Sequence, residues 1–208
     1  MKIKKSSTYK KNTINFFNKM ANKNHGDSFK HYDNVIKWIK NKNGTELLDI
    51  GTGKGDLLEK ILLIYPNKNW NLVGIDISEK MIEKAVEKNI SAKFKVGDSE
   101  NLPFKNSSFD IITCINSFHH YENPEKAISE IKRVLRPGGI IILGEIWIPG
   151  FFRNIINFFL PFMKTGDYKI YSSDEIRYIF TQQNIIQIDK KNIFPSNCTY
   201  LLKKAETK

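Results

Sequence analysis

The stretch Leu47-Leu48-Asp49-Ile50-Gly51-Thr52-Gly53-Lys54-Gly55-Asp56-Leu57-Leu58 constrains the whole chain. Leu47 to Ile50 is a short apolar run of the kind that forms a buried strand. It breaks at three glycines spaced two apart, and a helical pattern of Leu57, Leu58, Ile61 and Leu62 starts at once. A strand, a tight glycine turn and a helix start let a ligand approach backbone that a side chain would shield. The first amides of the helix have no intrahelical partner and can donate to polar groups of that ligand. The arrangement predicts a nucleotide-type site at the C-terminal end of the first strand of an open α/β sheet.

The spacing narrows the ligand. A dinucleotide fingerprint requires glycine at position 56, where Asp56 stands, and a phosphate loop requires Ser or Thr after Lys54, where Gly55 stands. An acid at the strand end, Asp49, followed by Gly51, Gly53 and Gly55, resembles the first motif of the class I S-adenosylmethionine-dependent methyltransferases. The bland alternative is a purely structural strand-to-helix turn.

Downstream segments favour the resemblance. Trp70 to Asp76 reads as a second strand ending in an acid, 25 residues after Gly51. Asp76 is placed to accept both hydroxyls of a ribose. A helix cap is the other reading, but Ser78 already supplies one for Glu79 to Lys88. A third strand, Ala92 to Val96, leads into Gly97-Asp98-Ser99 and Leu102-Pro103-Phe104, and then Ser108-Phe109-Asp110. This run is similar to the characteristic stretch of small-molecule class I methyltransferases. The resemblance implies that Asp98 contacts the adenine amino group, with Ser99 at the ring edge: the amine donates and the carboxylate accepts. Otherwise Asp98 simply begins a turn. Phe109 to Ile115 is a fourth strand, ending in Asn116-Ser117-Phe118-His119-His120-Tyr121. Asn123 and Pro124 read as cap and first turn of a helix. That helix closes at Leu135-Arg136-Pro137-Gly138-Gly139, which resembles the family's structural turn before a fifth strand, Ile140 to Ile146.

Four such matches, in the family's order, span residues 45–146. They identify the chain as resembling the ubiquinone/menaquinone-methyltransferase-like, small-molecule type. The resemblance implies a Rossmann-like α/β fold, with a seven-stranded, mostly parallel sheet of order 3-2-1-4-5-7-6 and helices on both faces. Alternating strand and helix patterns support α/β independently. The implied cofactor is S-adenosylmethionine, with S-adenosylhomocysteine as product. Its implied binding residues are Asp49, Gly51, Gly53, Gly55, Asp76, Ile77, Asp98, Ser99 and Asn116.

At 208 residues the chain is expected to be one domain. Its parts are an N-terminal helical addition (1–43), a cofactor-binding core (44–146), an apolar lid-like insert (147–171) and a C-terminal helix and hairpin (172–208). The addition reads as a helix over 8–21, with Ile14, Phe16, Phe17 and Met20 as contacts, and a second from a cap at Asp27 to Lys40. Ile146 to Met163 is the most apolar stretch. Pro149, Gly150, Arg153, Asn154, Asn157 and Pro161 argue against a membrane span. It reads as a lid or substrate wall containing Phe151, Phe152, Phe158 and, beyond it, Tyr168; core packing and a dimer face are the alternatives. Ser172 and Glu175 form a capping box for a helix to Gln183. Ile185 to Ile193 and Cys198 to Lys203 then form an antiparallel hairpin, with the last strand beside the fifth.

The net charge is +11, and Lys2, Lys4, Lys5, Lys10, Lys11, Lys19 and Lys23 all precede the first acid, Asp27. Such an arm suits nucleic acid or an acidic membrane, but the lysines are dispersed without interleaved aromatics, which favours a solvated terminus. Asn116-Ser117-Phe118-His119 stands where an Asn-Pro-Pro-Tyr run or a Pro-Cys nucleophile would mark nucleic-acid base methylation. Cys114 and Cys198 form neither a disulfide framework nor zinc spacing, and a reducing cytoplasm fits. Neither a signal peptide nor a metal-ligand cluster is apparent, and a homodimer is left open.

The methyl of a sulfonium is activated by its neutral thioether leaving group. Holding the acceptor in line with it can supply roughly 7–11 kcal/mol. A base is needed only if the acceptor must lose a proton; His119 and His120 are the candidates. His25, Tyr9 and Tyr168 are candidates on flanking segments. Two other classes remain: a nicotinamide-dependent oxidoreductase on a similar sheet, against which Asp56 counts, and a non-catalytic protein that binds S-adenosylmethionine.

Overall fold

The computed structural model describes residues 3–23, 29–163 and 165–205, with the side chains of the first helix described from Tyr9 onward. The expected cap Asp27 and the candidate His25 lie outside the described residues. Two helices, α1 (Ile3–Met20) and α2 (Phe29–Ile39), precede the sheet. Then come β1 (Glu46–Ile50), α3 (Asp56–Ile64), β2 (Asn71–Asp76), α4 (Glu79–Glu87), β3 (Lys93–Val96) and β4 (Phe109–Ile115). The chain continues through α5 (Pro124–Val134), β5 (Leu135–Ile146), α6 (Gly150–Phe159), α7 (Ser173–Gln182), β6 (Ile185–Ile193) and β7 (Asn197–Lys204). The seven strands lie in the order β3-β2-β1-β4-β5-β7-β6, with β7 antiparallel to both neighbours, as the resemblance implies.

Strand periodicity sorts the core into two layers. Leu48, Ile112, Ile141 and Leu143 point to one face, where they pack with Ile128 and Ile131 of α5 and with Ile176 and Phe180 of α7. Leu47, Ile111, Ile140 and Ile142 point to the other, against Val35 and Ile39 of α2 and Leu57, Leu58 and Ile61 of α3. Near-continuous apolar strands such as β4 follow from burial on both sides.

Ser78 caps α4 by accepting from the Met81 amide, and Ser172 and Glu175 form the expected capping box of α7. Asn123 is the N-cap residue of α5 with Pro124 after it, as expected, but its side chain makes no capping bond; its Nδ2 donates to Glu100 instead. The segment Arg136-Pro137-Gly138-Gly139 already belongs to β5, where Leu135 pairs with Phe109. Arg136 is held there by the Asp110 carboxylate, 3.0 Å away.

α1, rather than the aromatic part of the 147–171 insert, lies over the ligand end of the sheet; of that insert Thr165 and Asp167 reach it. Tyr9 donates its hydroxyl to the Gly166 carbonyl at 2.7 Å, and Asn18 Oδ1 accepts from the Ser78 hydroxyl at 2.6 Å. These contacts lay α1 across the C-terminal ends of the strands. In α6 no residue is buried, and Phe151, Phe152 and Phe158 are exposed. Its polar Asn157 exchanges both amide bonds with the backbone of Ile170, so the polar side faces the protein and the apolar side faces outward. Among the described residues, no helix is long and apolar enough to cross a membrane.

Candidate functional site

A cavity of about 540 Å³ opens at the C-terminal ends of β1, β2, β4 and β5. Its size falls in the range of small-molecule sites. Asp49, Gly51, Gly53, Asp76, Ile77, Asp98, Ser99 and Asn116 all line it, as do His119 and His120.

The glycines work in different ways. Gly51, Gly53 and Gly55 all have positive φ, which disfavours other residues there. A Cβ on Gly51 would lie 2.1 Å from the Ser117 hydroxyl, so this glycine lets β1 and the turn after β4 approach. A Cβ on Gly53 would project into open space, the cradle that a close-lying ligand needs. Gly55 stands outside the cavity lining; it precedes α3, and a Cβ there would meet Phe94.

Asp76 Oδ2 accepts from the Gly53 amide and Oδ1 from the Ser78 amide, each at 2.9 Å. The Ile77 amide also bears on it, and since an ionised carboxylate has about four acceptor sites, capacity remains for a ligand hydroxyl. Burial pushes its pKa up. Asp49 is buried beneath the turn, and Oδ1 accepts from Thr113 at 2.6 Å. Burial pushes its pKa up to about 6. Asp98 Oδ1 accepts from the Glu100 amide at 2.9 Å, and Oδ2 is met by Lys10 of α1 at 2.8 Å. The residues present therefore fit S-adenosylmethionine: an open glycine cradle, a carboxylate with spare acceptor capacity at β2 and another beyond β3.

The two histidines have different environments. His119 Nδ1 lies 2.7 Å from Oε2 of Glu145, at the C-terminal end of β5, while Oε1 of Glu145 accepts from the Phe118 amide. Burial opposes charge on His119, but the Glu145 carboxylate outweighs it and the pKa rises. His120 Nδ1 lies 2.9 Å from the Gly166 carbonyl and 3.2 Å from Asp167 Oδ1. Both are acceptors, so Nδ1 carries the proton and Nε2 the lone pair. Burial and the neighbouring His119 push the His120 pKa well down. Potential ligand atoms of His119, His120 and Asp167 lie within 4.8 Å of one another, a grouping not visible in the sequence.

α1 adds Tyr9, Lys10, Thr13, Phe16, Phe17 and Met20 to the wall, beside Tyr32 of α2 and Thr165 and Asp167 of the insert. Phe17 meets His120 edge to face, with centroids 4.8 Å apart. Phe151, Phe152, Phe158 and Tyr168 are not in the lining; Tyr168 borders it, its ring edge-on to Tyr9 and its amide donating to the His119 carbonyl at 2.8 Å. Glu122 lines the cavity with one carboxylate oxygen buried and unpartnered among the described residues. Cys114 is buried core, its thiol pushed up by desolvation, as its strand position predicts. Glu145 was legible as another acid at a strand tip. Lys10 was not, because nothing separates it from the other six N-terminal lysines.

A family model described as "Methyltransferase domain" matches residues 48–143. With the strand order and cavity above, this match makes the chain a class I S-adenosylmethionine-dependent methyltransferase. Among its relatives, the demethylmenaquinone methyltransferase of Thermotoga maritima is 29% identical over 205 residues, covering 89% of each chain. The YcgJ protein of Bacillus subtilis has the same fold at a TM-score of 0.73 and 21% identity, over 86% of this chain and 100% of its own. So does the magnesium protoporphyrin IX methyltransferase of Synechocystis, solved with bound S-adenosylhomocysteine, at 0.65 and 19%, over 86% and 84%.

Proposed function

We propose that the methyl acceptor is a small, flat, apolar or aromatic molecule bearing a hydroxyl or comparable donor. The observation that carries this is one cavity with two kinds of wall: Phe16, Phe17 and Met20 of α1 stand with His120 and Glu122. The aromatic side chains would hold a ring and exclude water. Glu122, with a buried oxygen to satisfy, would accept from the donor group. The activity of the Thermotoga maritima relative, on a demethylmenaquinone, is of this kind, since a quinol is a flat ring with hydroxyls.

Bound S-adenosylmethionine supplies an electrophilic methyl group. The protein's residues would do the rest. Gly51, Gly53 and Asp76 hold the cofactor, and Asp98 and Ser99 are assigned its adenine. Asp49 supplies negative charge below the turn. His120, neutral with its Nε2 lone pair free of Gly166 and Asp167, would take the acceptor's proton. His119, charged by Glu145, would fix the loop and is unsuited to be the base.

The test is transfer of a labelled methyl group to a panel of quinols, catechols, simple phenols and aliphatic amines. Turnover should be confined to the aromatic hydroxyl compounds and their ring carbons, and His120→Gln should lower kcat. Turnover with aliphatic amines alone would overturn the proposal.

A further inference from the structure

We propose that α6 and the 3-10 turn after it form a docking surface for an anionic lipid bilayer. The inference rests on the surface alone and stands whatever the acceptor is.

The apolar residues of this segment repeat as Phe151, Ile155, Phe158 and Phe162, with Phe152 and Phe159 alongside, which puts them on one helical face. In a soluble helix that face turns to the core. Here the orientation is reversed. Phe151 is 74% exposed, Phe158 70% and Phe162 76%. The inner side is fixed by the paired amide bonds of Asn157 to Ile170 and by buried Leu160. Rotating the helix to hide its aromatic side would break both bonds. The aromatic face is therefore presented by construction, and contiguous exposed apolar surface of this kind marks an interaction site.

A neighbouring turn extends it. The Trp147 amide donates to the Ser196 carbonyl at 2.8 Å, which sets the β6–β7 turn beside the start of the segment. That turn carries Phe194, 93% exposed. Ile146 and Thr165, at the two ends of the segment, and Ser196 all line the active-site cavity. The aromatic surface thus borders the site.

Charge selects a bilayer as the occupant. From Trp147 to Gly166 the sequence has no carboxylate, but it has Arg153 and Lys164, in a chain of net charge +11. Bulky aromatics on one face of a helix, with cations and no acids, suit the interface of an anionic membrane. At ten residues α6 is about 15 Å long, too short to span and long enough to lie in the headgroup layer.

The experiment is sedimentation of the full chain with vesicles of phosphatidylcholine alone or mixed in equal parts with phosphatidylglycerol. The chain should bind the mixed vesicles about tenfold or more tightly than the neutral ones. The variant Phe151→Ser/Phe158→Ser/Phe162→Ser should lose about tenfold or more of that binding, with its circular dichroism and S-adenosylhomocysteine affinity unchanged. Should that variant fail to fold, the single change Phe194→Ser, on an exposed turn, should weaken vesicle binding several-fold. Failure of the wild-type chain to bind the mixed vesicles would overturn the proposal. So would equal binding by folded variants, or a wild-type dimer that the triple change makes monomeric without affecting vesicle binding.

Discussion

Lys10 and Asp98 are joined across the cavity, with Nζ of the lysine 2.8 Å from Oδ2 of the aspartate; the same ammonium is 2.9 Å from Oε2 of Glu100. The carboxylate assigned to the adenine amine thus already receives an N–H donor, from a helix that covers the site. Lys10→Met keeps the length of the side chain and removes both ion pairs. Losing the partly exposed Asp98 pair should cost about 1 kcal/mol or less, and the larger part of the loss should come from Glu100, whose carboxylate is buried. The expected result is faster limited proteolysis within α1 and retained binding of S-adenosylhomocysteine. Unchanged proteolysis would show that the pair does not hold the helix.

Asp76→Ala should weaken S-adenosylhomocysteine binding by about 1.5–3 kcal/mol, the loss of a charged acceptor. It should also lower stability, because the amides of Gly53 and Ser78 both bond to that side chain. Calorimetry on the folded variant separates the two effects. Wild-type affinity in a destabilised Asp76→Ala would assign Asp76 to the turn alone.

Cofactor affinity should fall as pH drops through about 6, the value to which burial raises Asp49. S-adenosylmethionine is cationic at its sulfonium, so it favours the ionised carboxylate, and protonation removes that attraction. Asp49→Asn should bind more weakly at neutral pH and show a flatter profile. A wild-type profile flat from pH 5 to 8 would exclude Asp49 from charge recognition.

Glu145 raises the His119 pKa above its unfolded value, so this pair stabilises the fold fully only below the ordinary histidine pKa of about 6.5. That contribution is lost as pH rises through the raised, folded value. The melting difference between wild type and Glu145→Gln should therefore be largest in mildly acid buffer and shrink in alkaline buffer. His120 and His31 are both depressed by burial, so they act with the opposite sign and cost stability as pH falls through about 6.5. A difference that grows with pH would contradict the assignment.

The strand order was legible only through the family resemblance, and the positions of Asp49, Asp76 and Asp98 through short local patterns: an apolar run, a glycine turn, an acid at a strand tip. The orientation of α6 was not. Its amphipathic pattern implies a covered face, and only the Asn157–Ile170 bonds fix which side turns inward. The cover that α1 forms was silent for the same reason. Phe16 and Phe17 are ordinary helical contacts in sequence, and what brings them over the site is a bond between Tyr9 and Gly166. His31 was also silent: it is buried against Thr199 and Asn197 of β7, which no local pattern predicts.

Tyr9 and Gly166 are 157 positions apart. On the ribosome, α1 is made before the sheet, yet its anchor at Gly166 is not made until β1 to β5 have been translated. Its other partners, Ser78 and His120, come later than α1 as well. Closing a loop that long costs entropy before any contact repays it. The glycine turn, β2 and the loop after β4 can thus assemble on the nascent chain while the cavity is still uncovered, and a helix translated before the sheet settles over it only afterwards.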